Sequence, residues 1–358
     1  MKGARGSGPT GHKMLVAVTA AGTMLIGLVV ARSGALLSEP ARRGVAALYA
    51  HLVFPTMVFR GVAAIKLEQI DPRVALLIAL SKGIVAAACV GFGLAALSRT
   101  HGRAALAHAA AYAMAATHSF DVTFGAPLAR ELYPDSVGYV YLNQSVQLAV
   151  INPLLLVLME LGRTGDAAIG RTLGGVAANP LSCATLAGLL AGRLFPRGLP
   201  AALSALSAQV AEGGPFLGFL SLGFAMAALD ATSARELQHT AVLCALKIVA
   251  MPALYLSVGQ LLAVSAPPAF IGFLGSLPAS ASIYSLALVN GLSPRVIGPL
   301  VPASMLLSVA ITLLPQRDDD GEAAARALRV AVGGGGVVCA GLAMLGRGKG
   351  AARRAKEE

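Results

Sequence analysis

The chain has no tryptophan, and aromatic residues of every kind make up only 5% of its 358 positions. A basic protein that stacks nucleic-acid bases interleaves aromatics with its lysines and arginines. That pattern is missing, so a net charge of +11 does not argue for nucleic acid. Charge itself is scarce, at 13% against 56% apolar residues, far from the even mix of a water-soluble domain. Cys89, Cys183, Cys244 and Cys339 fall in different apolar runs without metal-type or redox spacing, and read as core packing. There is no CxxC and no HExxH, so neither a metal nor another cofactor is expected. No nucleophile–base pair is visible, which argues against an enzyme. Gly6 to Gly11 matches GxGxxG, but no strand precedes it, and the match is chance in a glycine-rich tail.

What the chain does have is apolar runs of 18 residues or more along nearly its whole length, each able to cross about 30 Å of hydrocarbon. Charges, Pro/Gly clusters and run length predict helices at 14–31, 44–65, 74–97, 104–130, 137–161, 174–194, 201–229, 239–264, 267–290 and 294–315. The fold class is therefore an all-α polytopic membrane protein of about ten transmembrane helices. Residues 1–13 form a basic N-terminal tail. The first run is too long for a cleaved signal peptide and has a partner later in the chain. Residues 316–358 form an acidic linker, a weak apolar segment at Leu328 to Leu345 interrupted by Gly333 to Gly336, and a basic tail. Lysines and arginines fall almost equally on the two sides of this topology, so the positive-inside rule does not orient it.

Self-similarity appears at an offset of about 160 residues. Gly27 matches Gly188, Phe54-Pro55 matches the Gly214-Pro215-Phe216 region, Lys82 matches Lys247, and Pro134 with Gly138 matches Pro294 with Gly298. Residues 14–161 and 174–315 are thus two five-helix repeats joined by a 162–173 linker. An odd helix number makes the second copy enter the membrane from the opposite side.

Ionisable groups inside hydrocarbon are costly and need a partner, water or a task. Lys82, Asp121 and Lys247 meet that description, with His118 beside Asp121. Glu212, before Gly213-Gly214-Pro215, belongs at a helix break. The fourth helix contains Thr117-His118-Ser119-Phe120-Asp121-Val122-Thr123-Phe124-Gly125-Ala126-Pro127, and its repeat partner in the ninth contains Leu277-Pro278-Ala279-Ser280-Ala281-Ser282-Ile283-Tyr284. Pro removes a backbone donor, and small residues let the chain unwind, so both helices are expected to break and to cross there. Half-helix ends offer N–H groups to anions and carbonyls to cations. The candidate substrate-binding residues are His118, Ser119, Asp121, Thr123, Asn143, Pro278, Ser280, Ser282 and Tyr284. The candidates for coupling or charge pairing are Asp121, Lys82 and Lys247. Each has a structural alternative: the lysines as ties to Asp121 or to helix C-terminal carbonyls, Asp121 as a salt-bridge partner or cap, His118 as a satisfied hydrogen-bonding residue. Asn143-Gln144-Ser145 matches a glycosylation acceptor but lies within the fifth helix, and reads as polar lining. Gly188 to Gly192 reads as a close helix-packing face.

Leu52 to Arg60, Ala178-Asn179-Pro180-Leu181, and Lys247 with Met251-Pro252 resemble the auxin efflux carrier, or PIN-like, transporters over roughly residues 14–315. Ser119 to Pro127, Glu131-Leu132-Tyr133 and Tyr139 to Leu142 look more specifically like the transporter half of the lysosomal cholesterol signaling protein. The resemblance implies a scaffold of helices one, two, six and seven and a mobile domain of the other six. It implies elevator-type exchange of small organic anions of the auxin-like class, termini on the non-cytosolic side, and an endomembrane (lysosome, vacuole or ER) or plasma-membrane location. It allows a homodimer through the scaffold helices. The alternative is a non-transporting sensor of a sterol or metabolite that keeps the same fold. Where the family often has Asn at the first crossover this chain has His118-Ser119-Phe120, and its first helix lacks the aromatic-proline pair and acidic residue of the cholesterol-sensing relative.

Overall fold

The computed structural model describes residues 9–313 apart from 35, 67, 69, 166–168 and 228–231. The 316–358 segment, with Leu328 to Leu345 and Cys339, lies outside the described residues, as do residues 1–8 of the basic tail. The described chain runs through α1 (Pro9–Ser33), α2 (Glu39–Ala63), α3 (Pro72–His101), α4 (Ala105–Thr117), α5 (Ala126–Leu132), α6 (Pro134–Thr164), α7 (Ile169–Ala177), α8 (Pro180–Leu194), α9 (Ala201–Ala227), α10 (Ala234–Leu261), α11 (Pro268–Gly275), α12 (Ala281–Asn290) and α13 (Pro294–Leu313). No strand occurs among the described residues; an isolated bridge pairs Ser119 with Ala279. Six apolar helical stretches there are long and apolar enough to cross a membrane, and the protein is an all-α integral membrane protein.

Local signals fix the helix ends. Asp71, Asn179 and Ser233 cap α3, α8 and α10 with side-chain oxygens, and Glu236 completes a reciprocal capping box with Ser233. A proline follows the cap of α3 and of α8, where its missing N–H costs nothing. The apolar stretch Pro72–Thr117 is not one rod: Gly102 takes φ +52° and the chain doubles back, so that Gly93 lies against Ala109. The expected 162–173 linker is partly helical, since α6 extends to Thr164 and α7 begins at Ile169, ending before the Asn179 cap. Glu212 ends the first half of α9 at the Gly213 turn.

Helices α1 and α9 touch backbone to backbone, and so do α8 and α2. A Cβ on Gly27 of α1 would strike the Leu220 carbonyl and meet the Gly223 Cα of α9 at 3.1 Å. On Gly188 of α8 it would lie 2.8 Å from the Phe59 carbonyl of α2 and 2.9 Å from Val62 Cβ. Only glycine permits such approach, which raises dispersion contact where lipid supplies no hydrophobic drive between helices. Cys89 and Cys244 are buried as expected, but Cys183 is exposed: it lies in the first turn of α8, where its thiol donates to the Ala177 carbonyl at 3.3 Å.

Polar contacts gather at both ends of α3. At one end Asp71 accepts from Ser265 N (3.0 Å), and its own N–H donates to the Tyr139 hydroxyl (3.2 Å). At the other end Arg235 donates to the Ala96 carbonyl, Arg103 to the Gly165 carbonyl, and Arg163 to Asn290. Between these ends the buried charged residues Lys82, Asp121 and Lys247 belong to one cluster.

Candidate functional site

That cluster forms where two helices break. α4 stops at Thr117, and α11 stops at Gly275; the extended residues that follow cross each other. Phe120 N–H donates to the Pro278 carbonyl (2.8 Å) and Ser280 N–H to the His118 carbonyl (3.1 Å), an antiparallel pairing centred on Ser119 and Ala279. Each centre's own N–H is taken by a side chain, Gln147 Oε1 for Ser119 (3.0 Å) and Ser304 Oγ for Ala279 (3.0 Å). Four backbone N–H groups at the two breaks thus find partners within the protein.

Four wide helical turns feed the same region. In each, an N–H reaches the fifth carbonyl back: Phe54 to Tyr49, Ala126 to Asp121, Asn152 to Gln147, and Met251 to Leu246. Each is followed at once by proline, at Pro55, Pro127, Pro153 and Pro252. Proline has no N–H and its ring crowds the carbonyl a turn earlier; a turn widened by one residue accommodates both. The widening also re-aims the side chains in it. Tyr49, Asp121, Gln147 and Lys247 all belong to these turns.

Lys82 and Lys247 are fully buried. Lys82 Nζ donates to Gln147 Oε1 (2.5 Å) and Lys247 Nζ to Ser119 Oγ (2.6 Å). Asp121 is equally buried and accepts from Asn143 Nδ2 (2.8 Å), while Asn143 Oδ1 accepts from the Tyr255 hydroxyl (2.8 Å). Asp121 Oδ2 and Ser81 Oγ have no hydrogen-bond partner. Neither lysine makes an ion pair with Asp121, although both lie within Coulombic range of it. In place of the direct tie considered from sequence, each charged group bonds to a neutral side chain: Lys82 to Gln147, Lys247 to Ser119, and Asp121 to Asn143.

The other candidates divide. Pro278 and Ser280 take part in the crossing through their backbone. His118 is buried between Thr117 and Asn152, at 3.2 Å from each. Thr123 shares a 2.5 Å hydrogen bond with Tyr49 of α2, beside Gly218 of α9, where a Cβ would lie 2.7 Å from Thr123 Cγ2. Ser280 Oγ lies 2.9 Å from Ser282 Oγ, and Ser282 itself is exposed. Tyr284 is buried one turn along α12. Sequence reasoning did not find Gln147, Tyr255, Ser304, Asn152 or Tyr49. The signal for two of them was the X-Pro pair after an apolar turn, which marks Tyr49 and Gln147.

Each lysine Nζ makes one hydrogen bond to protein, and one carboxylate oxygen is unbonded. Such a cluster has hydrogen-bonding and charge capacity left for an anion. Among the described residues no group of three or more His, Cys, Asp or Glu is placed to hold a metal ion. The class these features define is an all-α integral membrane protein with ionisable groups at a helix crossing in its interior. No protein-family model matches the chain, and no curated protein matches it.

Proposed function

We propose that the protein is a secondary transporter carrying a small organic anion across a membrane, built as two inverted five-helix repeats with α1, α2, α8 and α9 as scaffold. The observation that carries this reading is the convergence of two buried, underbonded lysines on the crossing of two broken helices. Ionisable groups this deep are retained in membrane proteins chiefly along substrate or ion paths. Broken helices meeting at a repeat interface are a recurrent way to build a substrate site.

The inverted repeat is supported by packing. Gly27 and Gly188, Phe59 and Leu220, and Val62 and Gly223 are separated by the same number of residues. The contact of Gly27 with Leu220 and Gly223 therefore repeats as that of Gly188 with Phe59 and Val62. Ser119 and Ala279, the centres of the crossing, stand at nearly the same separation. Between the proposed scaffold and the rest, Phe219 of α9 lies edge-on to Phe120 and Phe124 at 5.7 and 6.4 Å, Tyr49 reaches Thr123, and the Tyr141 ring of α6 stands where a Cβ on Gly61 of α2 would go. Elevator-type movement, which the PIN-like resemblance implies, would shift these contacts.

The test is thermal stabilisation of the purified protein by a panel of aromatic monocarboxylates, with a sterol as the competing class. A ligand that binds only the folded protein at 100 times its Kd adds about 2.7 kcal/mol. Stabilisation by an anion, lost in Lys82→Met and Lys247→Met, is expected. Stabilisation by sterol alone contradicts the reading and favours the sensor.

A further inference from the structure

We propose that Lys247 is a neutral amine in the empty protein and takes up one proton when the anion binds, so that anion and proton cross together. The inference rests on the proposed anion site and adds the coupling ion.

Charge counting leads to it. The cluster contains two lysines but one carboxylate, and Asp121 is the only buried Asp or Glu among the described residues. One ammonium is balanced by Asp121; the second, fully buried and bonded only to a neutral oxygen, is not. An unbalanced charge in a low-dielectric interior is shed by loss of its proton where that is chemically open. With one lysine neutral the empty cluster carries no net charge. With that lysine protonated and a monovalent anion bound, it again carries none. Both forms that must move through hydrocarbon are then neutral, and the cycle transfers one anion and one proton.

Hydrogen-bond chemistry selects the lysine. Gln147 Oε1 can only accept, and it also takes the Ser119 N–H, so Lys82 stands as a donor to an amide oxygen. Lys247 faces the Ser119 hydroxyl, which both donates and accepts. By turning its O–H, Ser119 serves a neutral Lys247 as donor and a charged one as acceptor without moving a heavy atom. The titratable and charged groups facing Lys247 are Lys82 of α3, Asp121 and His118 at the first break, and Tyr255 on its own helix. α13, packed against its turn, brings no ionisable side chain except Arg295 in its first turn. On α4, His108 and Tyr112 are bonded to Ser293 and His239 instead.

The experiment is isothermal titration of the full-length detergent-solubilised protein with indole-3-acetate at pH 8, in buffers of different ionisation enthalpy. About one proton taken up per anion is expected, with affinity falling about tenfold per pH unit as pH rises. Lys247→Arg, permanently charged, should bind with proton uptake near zero. Lys247→Met should keep the melting temperature of the empty wild type and bind at least about tenfold more weakly, with no pH dependence. Binding by the wild type without proton uptake overturns the inference and leaves the anion site standing, as does uptake that persists unchanged in both Lys247 variants. Absence of binding removes both.

Discussion

Asp121 illustrates what burial demands of a single carboxylate. One oxygen is held by Asn143, itself oriented by Tyr255, and the other has no partner. Asn143→Ala would leave the carboxylate with neither oxygen bonded, and a loss of about 1–3 kcal/mol of stability is expected, measurable as a lower Tm. Asp71 is the contrasting case at a helix end. Hydrogen bonds from Arg73, with the Ser265 amide, hold its carboxyl well below the usual carboxylate range. A carboxyl depressed in the folded state stabilises above about pH 4, where the unfolded chain's aspartate is already ionised, and loses that contribution as pH falls toward the folded value. Asp71→Asn keeps the cap but loses the charge facing Arg73, so it should cost at most about 1 kcal/mol at pH 7 and progressively less below pH 4, read from melts across pH. The charged residues of the core were legible in the sequence because a lysine or aspartate in an apolar run is unambiguous. Their partners were not: whether Gln144 or Gln147 meets the lysine depends on how far the wide turn before Pro153 rotates the helix.

At the scale of elements, glycine and proline placement carried most of the information, and what each does became clear only in three dimensions. The Gly27 and Gly188 correspondence was visible as a repeat, but its meaning is a pair of equivalent helix contacts, α1 on α9 and α8 on α2. Gly27→Ala and Gly188→Ala should each destabilise by about 1–3 kcal/mol, since a carbonyl stands where the methyl would go. Gly22→Ala, with nothing within 4 Å of the added carbon, should be neutral or slightly stabilising. Equal tolerance of all three in thermal melts would contradict the packing. The helix breaks at 118–120 and 276–280 were legible from hydroxyl, glycine and proline clustering, whereas the partly helical 162–173 connection and the doubling back at Gly102 depend on caps and a positive φ that run length does not report.

For the whole molecule, the proposed inverted repeats would fix which loops share a side of the membrane. Single cysteines at Ser38, after α1, and at Arg197, after α8, should label with an impermeant maleimide from opposite sides in a cysteine-free background; labelling from one side contradicts the inversion. In the proposed mobile domain, Asp71–Ser265 and Arg163–Asn290 tie elements together at the two ends, as a body that moves as one would require. Its proposed movement past α2 and α9 would carry the anion seated by Lys82 and Lys247. The direct measurement is counterflow: proteoliposomes preloaded with unlabelled indole-3-acetate are diluted into a trace of labelled indole-3-acetate. Transient accumulation of label at least about tenfold above empty liposomes, abolished in Lys247→Met, is expected. Anion-dependent stabilisation of the protein without any counterflow would contradict the account, leaving a protein that binds the anion and does not carry it.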